Sequence, residues 1–146
     1  MALFFIHKKG GRESLGKEYS FSAIVAAVGT FISYWLGGWD VALQVLIAFM
    51  IIDYITGFLG AVKTKKVNSE IMFWGGIRKG IIIVVIAIAV MLDQLIGNKE
   101  PIFRMLALYF YIAREGLSIV ENFGILGVPF PEKIKKVLVQ LQEKGE

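Results

Sequence analysis

Cysteine is absent from these 146 residues and histidine occurs once, as His7. No disulfide frame, thiol chemistry or cysteine-held zinc is therefore available, and no histidine pair exists for a metal. No serine has a nearby histidine, and no glycine-rich phosphate loop is present. Charge is also scarce, at 19% of residues, where a soluble domain carries about a quarter. Nothing in the chain points to an enzyme, a cofactor or nucleic acid. No internal repeat or low-complexity segment breaks it up.

What the chain has is apolar runs. Hydrophobic residues make up 56%, and the mean hydropathy is +0.66. A membrane-crossing helix needs roughly 20 mostly apolar residues for about 30 Å of hydrocarbon. Four stretches qualify: Phe21 to Leu36, Val41 to Val62, Ile77 to Ile96 and Ile102 to Leu126. The second contains only Asp53 as a charge, and the third carries Asp93 near its end. The fourth has suitable length but holds Arg104, Arg114, Glu115 and Glu121. β-branched residues in the third run would suit a strand in water. In lipid an isolated strand leaves its backbone groups unpaired, and these runs lack the alternation of a barrel. The expectation is an all-α membrane protein of about four transmembrane helices, three being the other possibility, plus a C-terminal amphipathic basic helix.

Basic residues test that layout. Lys8, Lys9, Arg12 and Lys17 precede the first run, and Lys63, Lys65, Lys66, Arg78 and Lys79 surround the loop between the second and third. Lys133, Lys135, Lys136 and Lys144 follow the fourth. Only Lys99 lies in an intervening turn on the other side. Four spans put thirteen basic residues on one face and one on the other, so both termini are expected in the cytoplasm. This divides the chain into a basic cytoplasmic arm (1–20), a transmembrane helical domain (21–126) and a basic cytoplasmic tail (127–146). A secretory signal peptide is the rival reading of residues 1–36, but no small-x-small cleavage pattern follows the apolar stretch. The Gly37–Gly38 and Gly97 to Pro101 segments read as tight turns, with Pro101 suiting a helix start. Gly75–Gly76 reads as the start of the third helix, which would hold Arg78 and Lys79 at lipid phosphates. Trp35, Trp39 and Trp74 fall at span ends, as interfacial anchors do.

Ionised side chains at mid-bilayer cost at least about 2.5–3.5 kcal/mol and normally face protein or water. Opposite charges recur at matching depths, which suggests Asp53 with Arg114, Asp93 with Arg104, and Glu121 with Arg78 or Lys79. At 100° per residue, Arg104, Tyr111, Glu115, Ser118 and Asn122 share a stripe flanked by Arg114 and Glu121. Asp53, Thr56, Gly57 and Gly60 share a face of the second helix; Gly29 and Ser33 share one of the first. Small residues so spaced permit close helix packing. Two readings of the polar stripe stay open, a satisfied seam within one subunit or the wall of a water-filled hole between several. The tail segment 132–144 places Ile134, Val137, Leu138 and Leu141 on one face, which suits either anionic lipid or simple solvation.

The ordered set Asp53-Tyr-Ile-Thr-Gly57, Ala61-Val-Lys63-Thr-Lys65-Lys66-Val-Asn68-Ser69 and Gly75-Gly76-Ile-Arg78-Lys79 resembles the bacteriophage holins of the toxin-secretion/phage-lysis family. Leu92–Asp93, Glu115-Gly-Leu-Ser118, Glu121–Asn122 and Gly127-Val-Pro129-Phe-Pro131 with the lysine-rich tail extend the likeness. The resemblance implies a protein that oligomerises with itself in the bacterial host's cytoplasmic membrane and forms lesions at a set time. A cell-wall-degrading endolysin is its functional partner, with no direct contact implied, and some relatives export toxins instead. The charged faces read above supply the parts, with Asp53, Asp93, Arg104, Arg114, Glu115, Ser118, Glu121 and Asn122 as candidates for assembly or lumen lining. Gly29, Ser33, Gly57 and Gly60 are candidates for helix packing. Lys63, Lys65, Lys66, Arg78 and Lys79 are candidates for the membrane surface. The alternative is a small ion or proton channel, or a transporter subunit, using midplane Asp53 and Glu115 as a relay.

Overall fold

The structure, a computed structural model, describes the backbone of residues 2–145 and the side chains of residues 16–145. The side chains of His7, Lys8, Lys9 and Arg12 lie outside the described residues. Five helices make up the regular structure among the described residues: α1 Ala2–Trp35, α2 Val41–Lys63, α3 Ser69–Ile96, α4 Ile102–Leu126 and α5 Glu132–Gly145. The chain divides into two units, Met1–Trp35 and Leu36–Glu146.

The first unit is one 34-residue helix, so arm and first apolar run are continuous. Ser20 and Thr30 turn their hydroxyls back to the Gly16 and Ala26 carbonyls, both at 2.8 Å. That satisfies each hydroxyl without leaving the helix. Phe21, Ile24 and Val28 are exposed. A Cβ at Gly29 would meet no atom within 4 Å, and Ser33 is half-buried.

In the second unit α4 is central, with α2, α3 and α5 all packed on it, while α2 and α3 barely touch. Leu43, Leu46 and Met50 of α2 recur at helical spacing and meet Ile82 and Ile86 of α3 and Leu108 and Ile112 of α4. Between apolar helices in lipid, such a core is favoured by close packing rather than by the hydrophobic effect. Only α2 and α3 are, among the described residues, long and apolar enough to cross a membrane. The charges of α4 keep it below that mark.

Local chemistry sets the ends. Asp40 caps α2 by accepting the Leu43 N–H at 2.9 Å. Asn68 caps α3 by accepting the Glu70 and Ile71 N–H groups, and this corrects one expectation. The third helix starts at Ser69, not after Gly75–Gly76, and the glycine pair lies inside it. The Asn68 cap, worth about 1 kcal/mol, offsets part of the cost of two interior glycines, each about 1 kcal/mol relative to alanine, and the helix runs through them. Gly97, at φ 73°, closes α3 in the left-handed region that glycine adopts without strain. The tail also departs from expectation. After Gly127 the chain folds back, Phe130 against Phe123, and α5 docks on α4 through buried Leu138 instead of lying free on lipid or in water.

Candidate functional site

Three ionised side chains from three helices meet inside the second unit. Asp53 stands where α2 faces α4, Glu115 where α4 faces both neighbours, and Lys79 reaches in from α3. The Lys79 ammonium donates to Asp53 Oδ2 at 2.7 Å and also to Glu115 Oε2. All three side chains are mostly buried. Asn122 of α4 donates to Asp53 Oδ1 at 3.0 Å and to Thr56 Oγ1 at 3.0 Å. Thr56 in turn donates to the Ile52 carbonyl. No buried side-chain polar atom among the described residues is left without a partner.

The network is cross-linked rather than paired. One cation answers two carboxylates that belong to different helices, so Lys79 is the element joining α2 to α4 through α3. Removing one member of a buried ion pair typically costs about 3–5 kcal/mol, because the remaining charge loses its counterion in a medium that solvates it poorly. Beside the triad runs a cleft of about 500 Å³ between α2 and α3, reaching from Lys66 and Asn68 at the loop to Tyr111 and Glu115. Arg78 and Arg114 also line it. The centre is thus connected to the surface by a partly polar path.

A second centre sits at the opposite end of the unit. Arg104 is only 2% exposed. Its Nε donates to the Leu36 carbonyl at 2.6 Å, its Nη1 to Asp40 Oδ2 at 2.6 Å, and its Nη2 to Asp40 Oδ1 and the Gly38 carbonyl. The turn 36–40 is a receptor built around one guanidinium. Gly37 is required twice over: its φ is 76°, and a Cβ there would stand 2.7 Å from Arg104 Cδ. The guanidinium beside Asp40 holds that carboxyl below its ordinary value, against the opposing push of burial. Asp93, at the end of α3, accepts the backbone N–H groups of Phe103 and Arg104 at 3.0 and 2.8 Å and the Asn98 amide at 2.8 Å. It caps α4 from outside, where Pro101 offers no side-chain acceptor.

The expected polar stripe of α4 is therefore assembled in part. Arg104 and Glu115 are buried and Tyr111, Ser118 and Asn122 half-buried, whereas flanking Arg114 and Glu121 are exposed. None of the three expected ion pairs forms; two are replaced by others and the third is not made. Asp53 pairs with Lys79 rather than Arg114, Arg104 pairs with Asp40 rather than Asp93, and Glu121 pairs with neither Arg78 nor Lys79. Helix rotation explains the first: Arg114 precedes Glu115 by 100°, which turns it out of the seam. Gly57 and Gly60 face Asn122 and Ile125 of α4, where an added Cβ would lie 3.6 and 3.4 Å away. Among the expected surface bases, Lys65, Lys66 and Arg78 are exposed. Lys63 instead donates to the Ile125 carbonyl at 2.9 Å, near the C-terminus of α4, and Lys79 is inside the triad. Sequence reasoning missed Asp40, although an aspartate directly before an apolar helix is a capping signal.

Two helices long and apolar enough to cross a membrane, beside an interior ion network, fit the class of small helical membrane proteins. Comparison with known proteins narrows the class. Residues 30–143 match the model of the bacteriophage holin family. A 14.9 kDa protein of Clostridium perfringens, encoded in the nagH 3′ region, is 45% identical over 82% of this chain and 91% of its own. Protein YqxH of Bacillus subtilis is 34% identical over 71% of this chain and 74% of its own. A protein of Bacillus phage phi105 named "Probable holin" is 35% identical over 63% of this chain and 67% of its own. No solved structure matches. The chain belongs to the bacteriophage holin family, which is not a family of enzymes.

Proposed function

We propose that this chain is a holin that collects in the cytoplasmic membrane of a bacterial host, self-assembles, and opens lesions that release an endolysin or a toxin. In this reading four helices cross the membrane and both termini are cytoplasmic. The observation that carries it is the shared Lys79. A cation satisfying two carboxylates from separate helices keeps the helices closed around it, yet the same groups are at ease in water. When copies assemble and admit water, the closed arrangement loses its advantage. Asp53, Glu115, Ser118 and Asn122 are then the groups that meet the lumen. Exposed Arg114 and Glu121 suit contacts with a neighbouring copy, as do Gly29 and Ser33, while Lys65, Lys66 and Arg78 hold the loop at anionic headgroups.

Controlled expression in a bacterial host tests this. Growth should stop abruptly after a fixed interval, with collapse of the membrane potential and escape of a folded cytoplasmic marker protein. The second reading, a proton or ion path, draws on the carboxylate–lysine–carboxylate geometry at the end of the cleft. It requires gradients to collapse slowly while the marker protein stays inside, and that result would displace the holin reading.

A further inference from the structure

α5 is seated where its charges do not suit an intact bilayer. α2 and α4 run side by side and are tied at both ends, by Arg104 to Asp40 and the Leu36 carbonyl, and by Lys63 to the Ile125 carbonyl. α4 therefore shares the depth of α2, a helix fit to cross the membrane. α5 runs back along α4. Leu138 fills the space over Gly116, where a Cβ would meet it at 2.7 Å, and Gly145 lies against Phe110, where a Cβ would meet that residue's Cβ at 2.7 Å. Because Phe110 lies in the first half of Ile102–Leu126, the end of α5 reaches beyond the middle of its neighbour. Leu138 is buried and Leu141, Gln142 and Gly145 half-buried, whereas Lys133, Lys136, Gln140, Glu143 and Lys144 are exposed. These five occupy the side of the helix away from α4. Ionised groups at such a depth are costly against hydrocarbon and cheap against water. The same helix, detached, has an apolar face and lysines suited to the anionic cytoplasmic surface.

We propose that α5 has two positions: on the cytoplasmic lipid surface while the bilayer is intact, and docked on α4 once assembled chains enclose water. In the docked position Lys133, Lys136, Gln140, Glu143 and Lys144 line the hole. The irregular residues 128–131 and Gly127, at φ 78°, form the joint. The inference rests on the lesion-forming reading above, and deepens it by adding to the lining a segment outside the four spans, which docks while the Lys79 network is still closed and is joined by Asp53, Glu115, Ser118 and Asn122 when that network parts.

The chain has no cysteine, so introduced pairs are the only thiols. The full chain carrying Gly116→Cys with Leu138→Cys is expressed in the host and oxidised with copper phenanthroline, before and after the membrane potential is collapsed by an uncoupler. Removal of the Leu138 side chain makes room for the new thiol at position 116. Intrachain disulfide should rise by about tenfold or more on triggering, as expected when several ionised groups gain access to water. Phe110→Cys with Gly145→Cys is the second pair; its Cβ positions, 2.7 Å apart as the helices stand, open to the roughly 3.5–4.5 Å of a disulfide by a small outward shift of the last turn of α5, and it should respond alike. Equal cross-linking before and after triggering, or none in either state for both pairs, overturns the proposal. Failure of the unmodified chain to stop growth and release a marker protein is a different result, and counts against the holin reading itself.

Discussion

Asp93 and Arg104 meet through the main chain, not through their charges: Asp93 Oδ2 accepts the Arg104 backbone N–H at 2.8 Å while the guanidinium turns to Asp40. One acid thereby caps α4 and leaves the base free to lock the 36–40 turn ahead of α2. The two residues expected as an ion pair divide the work of holding that end of the bundle.

Asp93→Ala removes the acceptor of two helix N–H groups and of the Asn98 amide. It should lower stability in detergent by about 1–2 kcal/mol, the size of a lost cap. Asp93→Asn keeps one acceptor oxygen and should lose less. Thermal unfolding followed by circular dichroism measures both, and equal losses would show that the charge, not the capping geometry, matters.

Arg104→Lys cannot reproduce a planar fork bonded to Leu36, Gly38 and Asp40 together. It should destabilise by about 1–3 kcal/mol, the penalty for buried acceptors left unpaired. Gly37→Ala should do comparable harm by a different route, since its φ of 76° and the 2.7 Å approach to Arg104 Cδ leave no room for a methyl. A double variant costing no more than either single change would place both effects in the same receptor.

Acid should loosen that turn. The Asp40 carboxyl titrates below its ordinary value of 3.8, chiefly because Arg104 hydrogen-bonds its ionised form. A carboxyl whose folded-state value is depressed contributes stability above the unfolded value, and the contribution is lost as pH falls through the folded-state value. Unfolding measured between pH 6 and roughly pH 2 should therefore show a loss that begins near the ordinary carboxylate value. Asp40→Asn should lower stability at neutral pH and flatten that part of the profile.

Lys79→Met leaves two carboxylates facing each other without their shared cation. It should cost about 3–5 kcal/mol and bring lysis forward or abolish it by unfolding. The triple variant Lys79→Met, Asp53→Asn, Glu115→Gln removes all three charges and should recover most of that stability. Lysis timing under controlled expression, read beside unfolding in detergent, separates the two outcomes. A triple variant as unstable as the single would show that the ion network does not hold the helices together.

Gly60→Leu wedges a side chain between α2 and α4, where even a Cβ would stand 3.4 Å from Ile125. Overpacking of this kind costs about 1–3 kcal/mol. Gly29→Leu, with open space around it, meets no such clash and should not lower stability, the better helix former adding up to about 1 kcal/mol. A shift in lysis timing from Gly29→Leu would then report contact between copies.

The helices were legible because their cues are local. Apolar runs and the glycine turns at 37–38 and 97–101 act within a turn or two of the chain, whereas the equally local caps at Asp40 and Asn68 escape a reading that follows hydropathy alone. Interior charges were legible as well, since Asp53, Arg104 and Glu115 interrupt apolar stretches wherever those stretches end up. Their partners were not. Placing the start of α3 at Gly75–Gly76 puts Lys79 at the lipid surface; the cap at Asn68 moves that start to Ser69, and Lys79 enters the bundle.

By itself, then, the order of residues determined that this chain forms apolar helices carrying a few misplaced charges, because length, periodicity and capping are properties of neighbours along the backbone. Tertiary structure alone decided that Lys79 serves two acids, that Arg104 fills the 36–40 turn, and that α5 returns along α4. Those outcomes depend on how helices slide and rotate against one another, and a shift of one residue turns a side chain by 100°.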